Sequence, residues 1–299
     1  MTSIDQIITT HTRDLGDGFI VRRALPAAGR RMIGPFVFLD EMGPTVLPPG
    51  TGLDVRPHPH IGLATVTWLF AGEIMHRDSL GSVQPIRPGE VNWMTAGRGI
   101  VHSERSDAVQ RDHAAPLHGL QCWVALPIED EECAPDFTHL KAGQLPCLDA
   151  DGVKATLIAG RFLGMKTELP TRSPMVYLQL TLQPGARFTL PAEYPEQALY
   201  LVSGDVDVGD AGVQEAGRLL ALRPGTDVSL CAGASGATLM VLGGEPVVGA
   251  RRISWNFVSS RPERIEQAKR DWLAQRFPSV PGEHEYIPLP DDLRPVDYP

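Results

Sequence analysis

No part of this chain is apolar for the roughly 18 consecutive residues that a membrane-crossing helix needs. Its opening residues, MTSIDQIITTHTRDL, carry no basic start followed by an apolar run. Export by an ordinary signal and insertion into a membrane are not expected, and a cytoplasmic location is. Cysteine is scarce: Cys122, Cys133, Cys147 and Cys231 are the only four, and none is spaced C-x-x-C. A disulfide framework and a cysteine-ligated zinc site are therefore poor readings. Positive charge is short too, with 27 Lys and Arg against 36 Asp and Glu and a formal net charge of −9. No basic cluster is longer than Arg22-Arg23 or Arg251-Arg252. A phosphate backbone would be repelled, so no direct nucleic-acid partner is expected.

What is present is an ordinary globular mixture, 42% apolar and 21% charged. At 299 residues the chain is long enough for two cores rather than one. Turns come often, because 30 glycines and 27 prolines are spread along it. Between them lie stretches of period-two alternation, the mark of strands with unequal faces. Met175–Leu182 is the clearest, with apolar residues at every even position; Ala64–Phe70 and Val206–Val208 carry the same signal.

The turn residues also repeat. Gly52, Gly72, Arg87-Pro88-Gly89 and Ala96-Gly97 recur as Gly185, Gly204, Arg223-Pro224-Gly225 and Ala232-Gly233, at offsets of 133, 132, 136 and 136. Punctuation kept in register in this way suggests two copies of one antiparallel barrel or jelly roll. The expected division is 1–135 and 136–299, the second domain carrying a terminal helix and tail. Ser260-Arg261-Pro262-Glu263 reads as a capping box with proline in the first turn. After it, Ile265, Ala268, Trp272 and Leu273 fall on one helical face, to be packed on either lobe. Pro278, Pro281, Pro288, Pro290 and Pro295 then mark an extended tail.

Two short segments carry chemistry. Arg56-Pro57-His58-Pro59-His60 sets two imidazoles two residues apart, and on a strand such residues share a face. Pro59 biases His58 towards an extended backbone and suits an edge or bulged strand. A second pair with the same spacing, His102 and Glu104, follows the turn Ala96-Gly97-Arg98-Gly99. If one barrel brings the two strands together, three imidazoles and a carboxylate converge. That donor set suits iron, manganese, nickel, copper or zinc better than calcium or magnesium. Four protein ligands leave an octahedral ion open positions for O2 or a substrate oxygen. His76 and His118 are candidates for orienting a ligand, or are ordinary hydrogen-bonded histidines. Trp93, Met94 and Trp123 are candidates for an apolar wall, or plain core. Shifting the two metal pairs by the repeat offsets lands on Pro191 and Glu193, and on Thr238 and Met240, so the second lobe is expected to hold no metal.

The run from Gly52 to Gly72 reads G-x5-H-x-H-x4-T-x6-G, which is similar to the first cupin motif, with Thr65 where that motif has glutamate. Pro57–His60, His76-Arg77-Asp78, Pro88-Gly89, the string Trp93–Glu104 and His118–Val124 together resemble the pirin family, and Gly204–Val206 and Gly244–Pro246 extend the likeness into the second half. The resemblance implies an all-β chain of two tandem cupin domains. It also implies one divalent transition metal per chain, iron(II) first, with manganese, nickel, copper, cobalt or zinc as alternatives, held by His58, His60, His102 and Glu104. The activity implied is that of a quercetin 2,3-dioxygenase, with Glu104 also acting as catalytic base. Such an enzyme opens a flavonol ring with O2 and releases CO. The alternative is a redox-sensitive iron-binding regulator that acts on a protein partner, such as a transcription factor or a metabolic enzyme. A zinc-holding structural protein is a third reading.

Overall fold

The computed structural model describes residues 2–14, 19–291 and 296–298. Their dominant element is the antiparallel strand, as the alternation predicted. Two compact units form, and neither is contiguous in sequence. Among the described residues, one unit takes in those up to Arg13, Arg22–Leu39 and Gly143–Pro246. The other takes in those from Asp14 to Val21, Asp40–Ala142 and those from Val247 onward. The division expected at 135/136 therefore needs correction at both ends of the chain. The physical reason lies in strand pairing and apolar contact. Ile4–Thr9 hydrogen-bonds along Arg218–Leu222, whereas the terminal helix buries its apolar face against Ile61, Val101 and Phe257.

In the first unit, the sheet order runs Ile4–Thr9, Arg218–Leu222, Glu196–Asp207, Val228–Gly244, Met175–Leu182, Val153–Phe162 and Cys147–Ala150. Val176, Leu178, Leu180 and Leu182, the even positions read from the sequence, join its core with Leu199, Leu201, Leu239 and Val241. Each such side chain contributes about 1.5–3 kcal/mol on burial. The second unit holds a four-stranded sheet in the order Asp54–His60, Ile100–Arg105, Ile74–Asp78 and Val83–Ile86. Leu63–Ala71, the strand read as Ala64–Phe70, lies between Val91–Thr95 and Ala115–Ala125 in a further sheet.

The internal repeat is real, but its register needs correction. Gly72 and Gly204 do correspond: both have positive φ (88° and 76°), and a Cβ at either would strike a backbone carbonyl, that of Pro116 or of Gly236. Beyond them the match slips by one turn. Val91–Thr95 pairs with Leu63–Ala71, and its counterpart by pairing is Arg218–Leu222, which lies on Glu196–Asp207. The turn equivalent to Pro88-Gly89 is thus the one at Gly217, and Arg223-Pro224-Gly225 falls after the strand. Matching turns by residue type alone placed the frame one turn too late, because Pro-Gly punctuates many turns.

Helix Pro262–Leu273 begins with proline at its first position, as expected. Its N-cap is Arg261, and no side chain caps it. The capping box therefore does not form. The hydroxyl of Ser260 instead donates to the Glu131 carboxylate at 3.0 Å, a charge-assisted bond that turns it away from the helix N–H groups. Ile265, Ala268 and Trp272 are buried, whereas Leu273 is exposed. In the tail, Val280 is buried and the Ile287 N–H donates to the Pro57 carbonyl at 2.8 Å. That bond covers part of the free edge of the Asp54–His60 strand. Pro295 lies outside the described residues.

Candidate metal centre

His58 and His60 lie on Asp54–His60, the edge strand of the four-stranded sheet, where Pro59 costs no ladder bond on the outer side. His102 and Glu104 lie on the neighbouring Ile100–Arg105 strand. His58 stands directly opposite His102, and His60 opposite Ile100. Ring centroids are 5.0 Å apart for His58 and His60, 4.4 Å for His58 and His102, and 5.1 Å for His60 and His102. One ligand nitrogen from each ring lies within 4.8 Å of the others. The pairing slips between His102 and Glu104, and such a bulge re-aims the side chains beside it. Glu104 stands outside the histidine trio; its Oε1 lies 3.4 Å from the Thr67 hydroxyl.

The Nδ1 side of each imidazole is already committed. His58 Nδ1 meets the Arg56 carbonyl at 2.9 Å, and His60 Nδ1 meets the Asn256 carbonyl at 3.2 Å. A carbonyl only accepts, so the proton sits on Nδ1 in both rings and Nε2 keeps its lone pair. His102 Nδ1 faces His76 Nδ1 at 3.4 Å, while its Nε2 is buried without a hydrogen-bond partner. An unpaired buried nitrogen costs about 1–3 kcal/mol. A cation among the three Nε2 atoms would remove that cost.

Burial favours the neutral form that the three imidazoles need for this. It pushes the His58 imidazolium pKa down to about 4, and the bond to the Arg56 carbonyl opposes it only in part. His60 and His102 are held well below the usual histidine range, again mainly by burial. Neutral imidazole is the metal-binding form. On Glu104 burial acts the other way: it raises the carboxyl to about 7, with Thr67 only partly offsetting it. The donor set therefore fits a transition metal ion.

Around the trio, His76 Nε2 lies 3.0 Å from Asp78 Oδ2, and its ring stacks on Phe137 at 4.4 Å. Asp78 Oδ1 accepts from the backbone N–H groups of Leu80 and Ser82. Burial raises the Asp78 pKa, but the hydrogen bonds from His76 and Ser82 outweigh it and leave the carboxyl below its ordinary range. Of the two histidines expected near the ligands, His118 has its Nε2 against buried Glu41 at 2.8 Å. Of the three wall candidates, Trp123 stands edge-on to His60 at 5.2 Å. Met94 and Trp123 are both direct partners of Thr65 and so share its face. Trp93 pairs with Val66 on the opposite face and donates to the Thr95 hydroxyl there.

Sequence reasoning missed Asn256, Asp78 and Thr67. Asn256 is 196 residues from His60 and acts through its carbonyl, which has no side-chain signature. Asp78 has the same spacing from His76 that His58 has from His60, a signal that was there to read.

The comparisons with known proteins bear on the family. The Pirin family model matches residues 18–124, and the Pirin C-terminal cupin domain model matches residues 177–278. A pirin-like protein of Caulobacter vibrioides is 50% identical over 96% of this chain and 100% of its own length. A Pseudomonas aeruginosa protein named "Putative quercetin 2,3-dioxygenase" is 40% identical over 89% of this chain and 83% of its own. A crystal structure of quercetin 2,3-dioxygenase from Acinetobacter baumannii superposes with a TM-score of 0.87 at 34% identity, covering 97% of each chain. Two tandem cupin-type β domains with a short terminal helix, matched over nearly the whole length, place this chain in the pirin family.

Proposed function

We propose that this chain is an O2-dependent dioxygenase of the quercetin 2,3-dioxygenase type, with iron(II) held by His58, His60, His102 and Glu104. The observation that carries the reading is the set of three buried, neutral imidazoles tied through Nδ1 or faced there by a neighbour, beside a buried carboxyl raised to about 7. Bound there, a redox-capable metal supplies a Lewis-acidic position that makes a flavonol hydroxyl more acidic and a meeting point for that substrate with O2. Glu104, the carboxylate of the set, is the group assigned to take the hydroxyl proton. The Thr67 hydroxyl lies 3.4 Å from that carboxyl and 2.7 Å from Gln121 Oε1, and its single proton serves the shorter bond. Trp123 and Met94 offer apolar surface to a flat aromatic ring. The names of the Pseudomonas and Acinetobacter proteins support the same substrate class. That substrate and O2 would meet inside the cell, in the cytoplasm.

The test is O2-dependent loss of quercetin absorbance by iron-loaded protein, with metal-free protein and His102→Ala as controls. Turnover that requires both iron and His102 supports the dioxygenase. A second reading, a redox-sensitive regulator acting on a protein partner, has the depth of the site in its favour: His102 is fully buried and His60 is 1% exposed. A cleft of about 420 Å³ is lined by charged groups such as Asp54, Arg77 and Arg105, and by none of the four site residues. No turnover at full iron loading would select that reading.

A further inference from the structure

We propose that Asp78 and His76 form a positioning pair that fixes the ring tautomer of His102 and so keeps its Nε2 free for a metal ion. The inference rests on the metal-centre reading above and assigns a new role to two residues that do not touch the ion.

The argument follows the protons along one buried line. Asp78 is fully buried, and its two oxygens have different work. Oδ1 accepts from Leu80 N–H at 2.9 Å and Ser82 N–H at 3.0 Å, which pins it to the turn. Oδ2 faces His76 Nε2 at 3.0 Å, and a carboxylate there only accepts, so the His76 proton sits on Nε2. His76 Nδ1 is then a lone pair, and it faces His102 Nδ1 at 3.4 Å. Two bare lone pairs would repel, so the His102 proton belongs on Nδ1. His102 Nε2, the buried nitrogen without a partner, is left bare towards His58 and His60. His58 and His60 obtain the same result from backbone carbonyls. His102 has only side chains to set its proton, and the stacking of His76 on Phe137 holds the intermediary ring in place.

The pinned Oδ1 makes the proposal testable by exchanging one oxygen for an NH2 group. In Asp78→Asn the side-chain oxygen stays with the two turn N–H groups, and the amide NH2 is presented to His76. The proton line then reverses: His76 carries its proton on Nδ1, and His102 is driven to carry its own on Nε2, where a metal must bind. A second pair of variants asks the same question at His76. His76→Asn places a carbonyl oxygen near the former Nδ1 and can still accept from His102, whereas His76→Leu cannot.

The experiment measures Co(II) affinity by chelator competition and the visible ligand-field spectrum of the Co(II) form, on full-length protein, with circular dichroism and apo-protein melting as folding controls. Asp78→Asn and His76→Leu are expected to lose 10- to 100-fold in affinity and to change the spectrum, the range typical of partners behind a metal ligand. His76→Asn is expected to stay within about threefold of the unaltered chain, in keeping with the bond it retains. A merely structural role for His76 predicts equal loss in its two variants, and that result would overturn the proposal. So would unchanged affinity in both Asp78→Asn and His76→Leu. Should Asp78→Asn not fold, the contrast at His76 decides alone. Failure of the unaltered chain to bind Co(II) would instead overturn the metal centre itself.

Discussion

The two lobes use one strand pairing for opposite purposes. In the metal lobe, His58 faces His102 across the Asp54–His60 and Ile100–Arg105 strands. In the other lobe, Phe188 faces Leu230 across Arg187–Leu190 and Val228–Gly244. Carried along those strands, the positions of His58, His60, His102 and Glu104 become Phe188, Leu190, Leu230 and Ala232, all part of one apolar core or packed against it. The earlier shift onto Pro191, Glu193, Thr238 and Met240 followed from the misplaced frame; in the corrected frame the four matched positions carry neither an imidazole nor a carboxylate. The comparison teaches that the barrel does not require its interior to be polar. One lobe gains stability from burying these positions, whereas the other carries a desolvation cost that a cation held there would offset.

Mirrored substitutions test that division, and the largest contrast comes first. His102→Ala should abolish metal binding, read as ions per chain after loading and desalting, with little loss of apo-protein stability. Leu230→Ala at the matched position should leave one ion per chain but cost about 2–5 kcal/mol in chemical denaturation, the usual price of a core truncation. If Leu230→Ala proves as mild as a surface change, the two positions are not equivalent.

A smaller effect concerns pH. In the metal-free protein the Glu104 pKa is raised from 4.5 to about 7. The folded state therefore binds more protons than the unfolded state between these values, and stability falls as pH rises through that window. Glu104→Gln should remove the fall and make the metal-free protein more stable above pH 7 by about 3 kcal/mol at most. Equal pH profiles for the variant and the unaltered apo-protein would show that Glu104 is not buried as described. His58 acts in the opposite sense: its folded pKa of about 4 lies below 6.5, so its contribution is lost as pH falls through that range. The smallest effect is expected at Glu193, exposed in the second lobe and accepting from the Leu163 N–H. Glu193→Gln should change stability by less than about 0.5 kcal/mol and metal content not at all.

Much of the site was legible because its chemistry is local. His58 and His60 are two residues apart, and strand geometry alone turns them to one face, whereas the bulge between His102 and Glu104 leaves Glu104 outside the trio. The strand Met175–Leu182 was legible for the same reason, since its alternation records which side chains meet the core. The start of the terminal helix was legible through Pro262, but not its cap, because the Ser260 hydroxyl was claimed by Glu131, 129 positions away in the chain for the backbone bond that accompanies it.

The amino-acid order by itself determined the strand-rich class, the repeated lobes and the histidine pairs, since these follow from periods of two and from turn residues whose constraints act within a few bonds. Tertiary structure alone decided which lobe receives each end of the chain, which residues fill the metal positions of the second lobe, and where the ring protons of His60 and His102 sit. Those outcomes depend on partners brought together by folding, the Asn256 carbonyl for His60 and the Asp78–His76 pair for His102, and on a balance of burial against hydrogen bonding that exists only once water has left the site.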